Sequence, residues 1–155
     1  MNIMNEPTAS VPKHRILIVD DEPFVVRALA TQLAAQLRDQ SVAVDAYTDA
    51  GVALERAAQI VYDVAISDYR MRPIDGIEFL KRLRAIQPRC VRLMLSATHE
   101  MSTVVKAVND AGVFKYLPKP WPRDLASMFH DAIARHAADA DEHPLAGESP
   151  SFGDP

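Results

Sequence analysis

The sequence predicts an α/β protein, a parallel sheet of five strands wound by helices on both faces. Short β-branched apolar runs recur along the 155 residues, and each is followed by a stretch of helical period. The runs are apolar throughout and close on polar residues, as strands covered on both sides do. Hydrophobic residues make up 48% of the chain and charged residues 25%, a composition able to fill the core of one ordinary domain.

The elements follow in order. Arg15–Val19 holds four consecutive aliphatics and ends on Asp20 and Asp21, so it reads as a buried first strand with an acidic end. Pro23 suits a first helical turn, and Leu29, Leu33 and Leu37 at i, i+4 and i+8 carry that helix to Leu37. Val42–Ala46 alternates weakly, as an edge strand does. Asp49 is the expected N-cap of a second helix reaching Ala58. Val64–Ile66 is the third strand and closes on Ser67 and Asp68. Ile77–Ile86 has helical spacing, and Pro88 stops it. Val91–Leu95 is the fourth strand, ending on Ser96. A fourth helix over 100–109 precedes a short fifth strand, Phe114–Leu117, which runs into Pro118, Lys119 and Pro120. The last helix starts near Pro122 and carries Leu125, Phe129 and Ile133 on one stripe.

Composition divides the chain into a polar leader (1–12), the α/β domain (13–137) and an acidic tail or linker (138–155). The tail has five acidic residues, three prolines and no Lys or Arg, so disorder is expected there. It also accounts for the formal net charge of −4, since residues 1–137 carry a net +1. Nucleic acid is not an expected partner, because no binding motif accompanies that balance. A single Cys90 and the lack of a signal peptide or apolar span point to a reducing cytoplasm and no membrane.

The carboxyl ends of parallel strands share one sheet edge, where sites form. Asp20, Asp21, Asp68, Ser96 and Lys119 therefore become neighbours. Three carboxylates in one cleft repel one another unless a cation neutralises them, and hard oxygen donors without His or Cys favour Mg²⁺. A carboxylate beside Mg²⁺ can attack a phosphoryl group, with Lys119 neutralising the phosphate oxygens and Ser96 donating a hydrogen bond. Taken singly, the acidic pair is more often a cap or a solvated turn, and Asp68, Ser96 and Lys119 each have an ordinary reading as strand-end residues. Their co-occurrence reverses that weighting.

Four segments resemble the receiver domain of two-component response regulators: ILIVDDEP (16–23), ISDYRMRPIDG (66–76), LMLSAT (93–98) and FKYLPKPW (114–121). Their order on successive strands makes the likeness specific over residues 14–137. It implies a flavodoxin-like (βα)5 fold with strand order 2-1-3-4-5. It further implies that Asp68 is the phosphoacceptor, that Asp21, Asp68 and the Arg70 backbone carbonyl hold Mg²⁺, and that Asp20 assists through water. Lys119 would pair with the phosphate across a cis Lys119–Pro120 bond, Ser96 would be the switch hydroxyl, and Tyr116 the aromatic that rotates behind it. Two positions depart from the family pattern. Arg72 stands where a proline is usual, with Pro73 following it, and Arg70 places a long cation two residues after the acceptor.

The resulting expectation is a signalling domain, not a turnover enzyme, that takes a phosphoryl group from a histidine kinase or phosphotransfer protein. It would then switch the surface of helix 4, strand 5 and helix 5. The partner is a downstream protein, a second copy, or an output domain if the chain is a fragment. A small Mg²⁺-dependent phosphatase with an aspartyl-phosphate intermediate is the rival. It normally uses an acid/base carboxylate two residues after the nucleophile, where Arg70 stands. A nucleotide-binding module would want a glycine-rich turn after the first strand, and none of the five glycines lies there. His14, His99, His130, His136 and His143 share no ligand spacing and read as surface residues, and Trp121 reads as packing on the last helix. Arg70, Arg72, Lys81, Arg82, Arg84, Arg89 and Arg92 read as a solvated basic face around the third helix.

Overall fold

A computed structural model describes residues 11–97 and 101–142. Its elements alternate strictly: β1 (His14–Val19), α1 (Pro23–Gln36), β2 (Val42–Tyr47), α2 (Ala50–Ala57), β3 (Val64–Asp68), α3 (Gly76–Ile86), β4 (Val91–Ser96), α4 (Met101–Ala111), β5 (Val113–Pro118) and α5 (Leu125–Glu142). All strand pairs are parallel, in the order β2-β1-β3-β4-β5. This is the flavodoxin-like arrangement that the family resemblance implies.

The two-residue period of a strand explains how apolar strands serve two cores. Ile16 and Ile18 of β1, Val64 and Ile66 of β3, and Leu93 and Leu95 of β4 face α1 and α5, where they meet Leu29, Leu33, Leu125 and Phe129. The intervening residues Leu17, Val19, Ala65 and Met94 face α2, α3 and α4, against Ala53, Phe79, Leu80, Leu83 and Ala107. With both faces closed, the central strands β1, β3 and β4 carry their polar side chains toward their ends.

Local chemistry sets the helix boundaries. Asp49 caps α2 by accepting from the Val52 N–H at 3.0 Å, as expected. Asp75 caps α3 through the Glu78 N–H at 2.9 Å, a D-x-x-E start readable in the sequence but missed there. α5 begins at Leu125, three residues later than expected, where Asp124 caps it through the Ser127 N–H at 3.0 Å and Gln36 of α1 accepts from the Leu125 and Ala126 N–H groups at 2.8 and 3.0 Å. Trp121 donates its indole N–H to Gln32 of α1 at 2.8 Å, so it ties the β5–α5 connection to α1. At its other end α5 continues to Glu142, so residues 138–142 are helical where the sequence suggested the start of a tail. The leader up to residue 10 and the segment from 143 onward lie outside the described residues, as do His99, Glu100 and His143.

Two readings of surface residues need correction. His14 and His136 are half-buried around Asp63, at the edge opposite the strand carboxyl ends. Asp63 accepts from the Arg15 backbone N–H at 2.8 Å, faces His136 Nε2 at 3.2 Å and lies 3.7 Å from His14 Nδ1. His136 Nδ1 meets the Arg89 carbonyl at 2.9 Å, which fastens α5 to the α3–β4 connection. Arg92 does not belong to the basic face. It is 8% exposed, and its guanidinium donates to the carbonyls of Cys90 and Ala111 at 2.6 and 2.7 Å.

Asp63 therefore gathers β1, β3 and α5 at one point. Asp63→Ala strips acceptors from a partly buried backbone N–H and an imidazole, and a loss of about 2 kcal/mol is expected in denaturant unfolding. A loss below about 0.5 kcal/mol would show that the carboxylate contributes no clasp.

Candidate functional site

The site forms where β1, β3, β4 and β5 end. β1 and β3 are adjacent, with Val19 beside Ser67, so Asp20 and Asp68 follow at one level. Both are almost sealed from solvent, 1% and 5% exposed, while Asp21 is exposed at the rim. Each of the three offers a carboxylate oxygen, and these oxygens lie within 4.8 Å of one another.

Lys119 enters this acidic group from β5. Its ammonium lies 2.9 Å from Asp20 Oδ2 and 2.9 Å from Asp68 Oδ1. Its backbone N–H donates to the Ser96 carbonyl at 3.1 Å, and the Lys119–Pro120 bond is cis, as the resemblance implied. Arg72–Pro73 is cis as well. Asp20 uses its other oxygen to accept from the Glu22 N–H at 2.9 Å, which fixes the turn into α1.

Burial pushes the Asp68 carboxyl above the ordinary aspartate range; the hydrogen bond from Lys119 opposes this, and the charge on Asp20 adds to it. Burial alone would lower the Lys119 ammonium, but its bonds to Asp20 and Asp68 outweigh that and hold it above its usual value. The net result is a carboxylate that ionises reluctantly beside a lysine that stays charged.

The acceptor loop is held by backbone contacts. Tyr69 N–H donates to the Leu95 carbonyl at 2.9 Å and Gly76 N–H to the Tyr69 carbonyl at 2.7 Å, which closes the β3–α3 connection on itself. A Cβ on Gly76 would sit 1.9 Å from the Asp68 carbonyl oxygen, so only glycine permits this approach. Ser96, 2% exposed, ends β4, and the Tyr116 hydroxyl donates to its carbonyl at 2.9 Å. Arg70 lies outside the buried group, in the wall of an open cleft of about 450 Å³ that also includes Asp21, Arg72 and Asp75.

The sequence thus brought Asp20, Asp21, Asp68, Ser96 and Lys119 to one place, with Tyr116 bonded to the backbone of Ser96. It missed Gly76 and Asp75. Asp75 had a local signal in its capping pattern, but the need for glycine at 76 comes from a tertiary contact that no local pattern records.

Known proteins agree with this architecture. A family model described as the response regulator receiver domain matches residues 16–129. The chain belongs to that family. This receiver is 31% identical over 131 residues to the hydrogenase transcriptional regulatory protein HoxA of Cupriavidus necator, covering 84% of the chain and 26% of HoxA. It is 39% identical over 115 residues to the regulatory protein AtoC of Escherichia coli, covering 74% of the chain and 24% of AtoC. The chain therefore spans about a quarter of these curated relatives. Among solved structures, the signal receiver domain of an HD domain-containing protein from Pseudomonas fluorescens Pf-5 matches with TM-score 0.72 and 25% identity, over 81% of this chain and 98% of that one. A structure titled adenylate cyclase from Rhodopirellula baltica matches with TM-score 0.71 and 27% identity, over 88% and 98% of the two chains.

Receivers as a family bind Mg²⁺ at an acidic pocket, and the donor set here is of that kind. Among the described residues, no helix of the receiver is long and apolar enough to cross a membrane.

Gly76→Ala drives a methyl into the Asp68 backbone. A loss of about 3 kcal/mol is expected in chemical unfolding, with chemical-shift changes centred on Asp68. A variant as stable as the parent would mean that the loop opens freely at this contact.

Proposed function

We propose that this receiver accepts a phosphoryl group on Asp68 from the phosphohistidine of a histidine kinase or phosphotransfer protein. The observation that supports the reading most directly is the Lys119 ammonium 2.9 Å from both Asp20 and Asp68. One Asp68 oxygen forms the new P–O bond as the donor's P–N bond breaks, and the imidazole departs with the electron pair. Lys119 is placed to exchange its contact with the Asp68 carboxylate for one with the transferred phosphate.

Asp21, Asp68 and the Arg70 carbonyl would hold Mg²⁺, with Asp20 acting through water. The bound ion supplies positive charge to the phosphate oxygens. Few protein ligands are required, since Mg²⁺ retains waters and takes phosphate oxygens for the rest. The protein's own chemistry is restricted to gaining this phosphate and promoting its hydrolysis.

Phosphorylation adds about −1.5 to −2 charge at the end of β3. Ser96 and Tyr116, joined through the Ser96 carbonyl, would relay that change by shifting a two-state equilibrium. The responding face is α4, β5 and α5, where Val105, Val108 and Phe114 are 50%, 49% and 40% exposed. Its reader is a downstream protein, a fused output domain or a second copy, acting in the cytoplasm.

Incubation with Mg²⁺ and acetyl phosphate tests the assignment by intact-mass measurement. One added phosphate is expected for the wild type and none for Asp68→Asn. Phosphate retained in that variant would move the acceptor elsewhere, and many turnovers of the ester per protein would favour a phosphatase.

Because Asp68 keeps its proton to higher pH than an ordinary aspartate, protons compete with the metal early. Mg²⁺ affinity, read by titration calorimetry, is expected to decline on acidification before the ordinary aspartate range near 3.9 is reached. An affinity that holds down to about pH 4 would show that Asp68 ionises no later than an ordinary aspartate.

A further inference from the structure

The positive charge inside the site is already committed, since Lys119 is bonded to two carboxylates. Lys119 can turn to a phosphate only by giving up its contact with Asp68, so the first encounter with an anion falls to charges outside the buried group. Two cations stand in the wall of the adjoining cleft, Arg70 and Arg72. Both are exposed, and neither makes a hydrogen bond or ion pair among the described residues.

This lack of pairing is informative because carboxylates share the same cleft wall. Asp75 is occupied in capping α3 through the Glu78 N–H, and Asp21 belongs to the acidic triplet. The two guanidiniums thus remain available in a cleft whose wall also includes Asp21 of the acidic triplet. Arginine presents a planar fork of donors that suits phosphate oxygens, and a cationic rim raises the local concentration of anions.

We propose that Arg70 and Arg72 form an anion-receiving mouth that captures the phosphate oxygens of a donor before transfer to Asp68. The inference rests on the phosphoacceptor reading. It concerns the phosphoryl group itself, which small and protein-borne donors share. Arg72, which stands where the family usually has proline, is the half of the mouth that sets this chain apart.

The test is the initial rate of phosphoprotein formation from acetyl phosphate with Mg²⁺ at low and high ionic strength. The expected result is a wild-type rate that falls with salt. R70A/R72A should be slower by about tenfold at low salt and should lose most of the salt dependence. R70K/R72K keeps the charge and should keep the salt slope, which separates charge capture from damage to the loop. Wild-type rates and slopes in R70A/R72A, or a slope lost in R70K/R72K, would overturn the mouth while leaving the acceptor in place. No phosphorylation of the wild type would overturn the acceptor reading and the mouth together.

Discussion

Everything at the carboxyl edge depends on how two buried acidic side chains sit together in a space that water scarcely enters, with a third at its rim. Asp20 and Asp68 are nearly sealed, and burying either alone as an ion would be prohibitively costly. The Lys119 ammonium resolves the conflict by reaching both at once. The remaining excess negative charge is what makes the place attractive to a divalent cation. A fully neutralised cluster would have been a stable ion-pair network with little chemistry left in it.

The sheet creates that edge by exclusion. Each of the central strands β1, β3 and β4 supplies apolar side chains alternately to two separate cores, one under α1 and α5 and the other under α2, α3 and α4. Polar groups are pushed to the strand ends, where the connections turn. The same packing explains why the backbone at the site is so well held: Lys119, Tyr69 and Gly76 all bond through main-chain N–H groups to neighbouring strand ends or to the loop itself. Side-chain chemistry is thus presented on a frame fixed by hydrophobic burial.

Much of this was legible in the sequence because it is written in consecutive residues. Four aliphatics followed by two aspartates announce a buried strand and its acidic end, and a lysine between two prolines announces a constrained turn. What escaped was what depends on distant partners. His14 and His136 looked like surface residues until Asp63 lay between them, and Arg92 looked solvated until its guanidinium met the carbonyls of Cys90 and Ala111. The helical stretch 138–142 escaped for a different reason. It lacks large apolar residues, so a reading based on burial discards it, whereas its alanines favour helix without needing a core.

The Asp63 clasp has an architectural consequence. The first strand and the last helix are fastened to one carboxylate, at the edge opposite the acidic cluster, so the folded unit is entered and left through nearly the same spot. A unit whose two ends meet can be spliced into a longer polypeptide through a single point of attachment, without stretching its sheet or covering its acidic edge. The geometry that closes the fold also makes it portable.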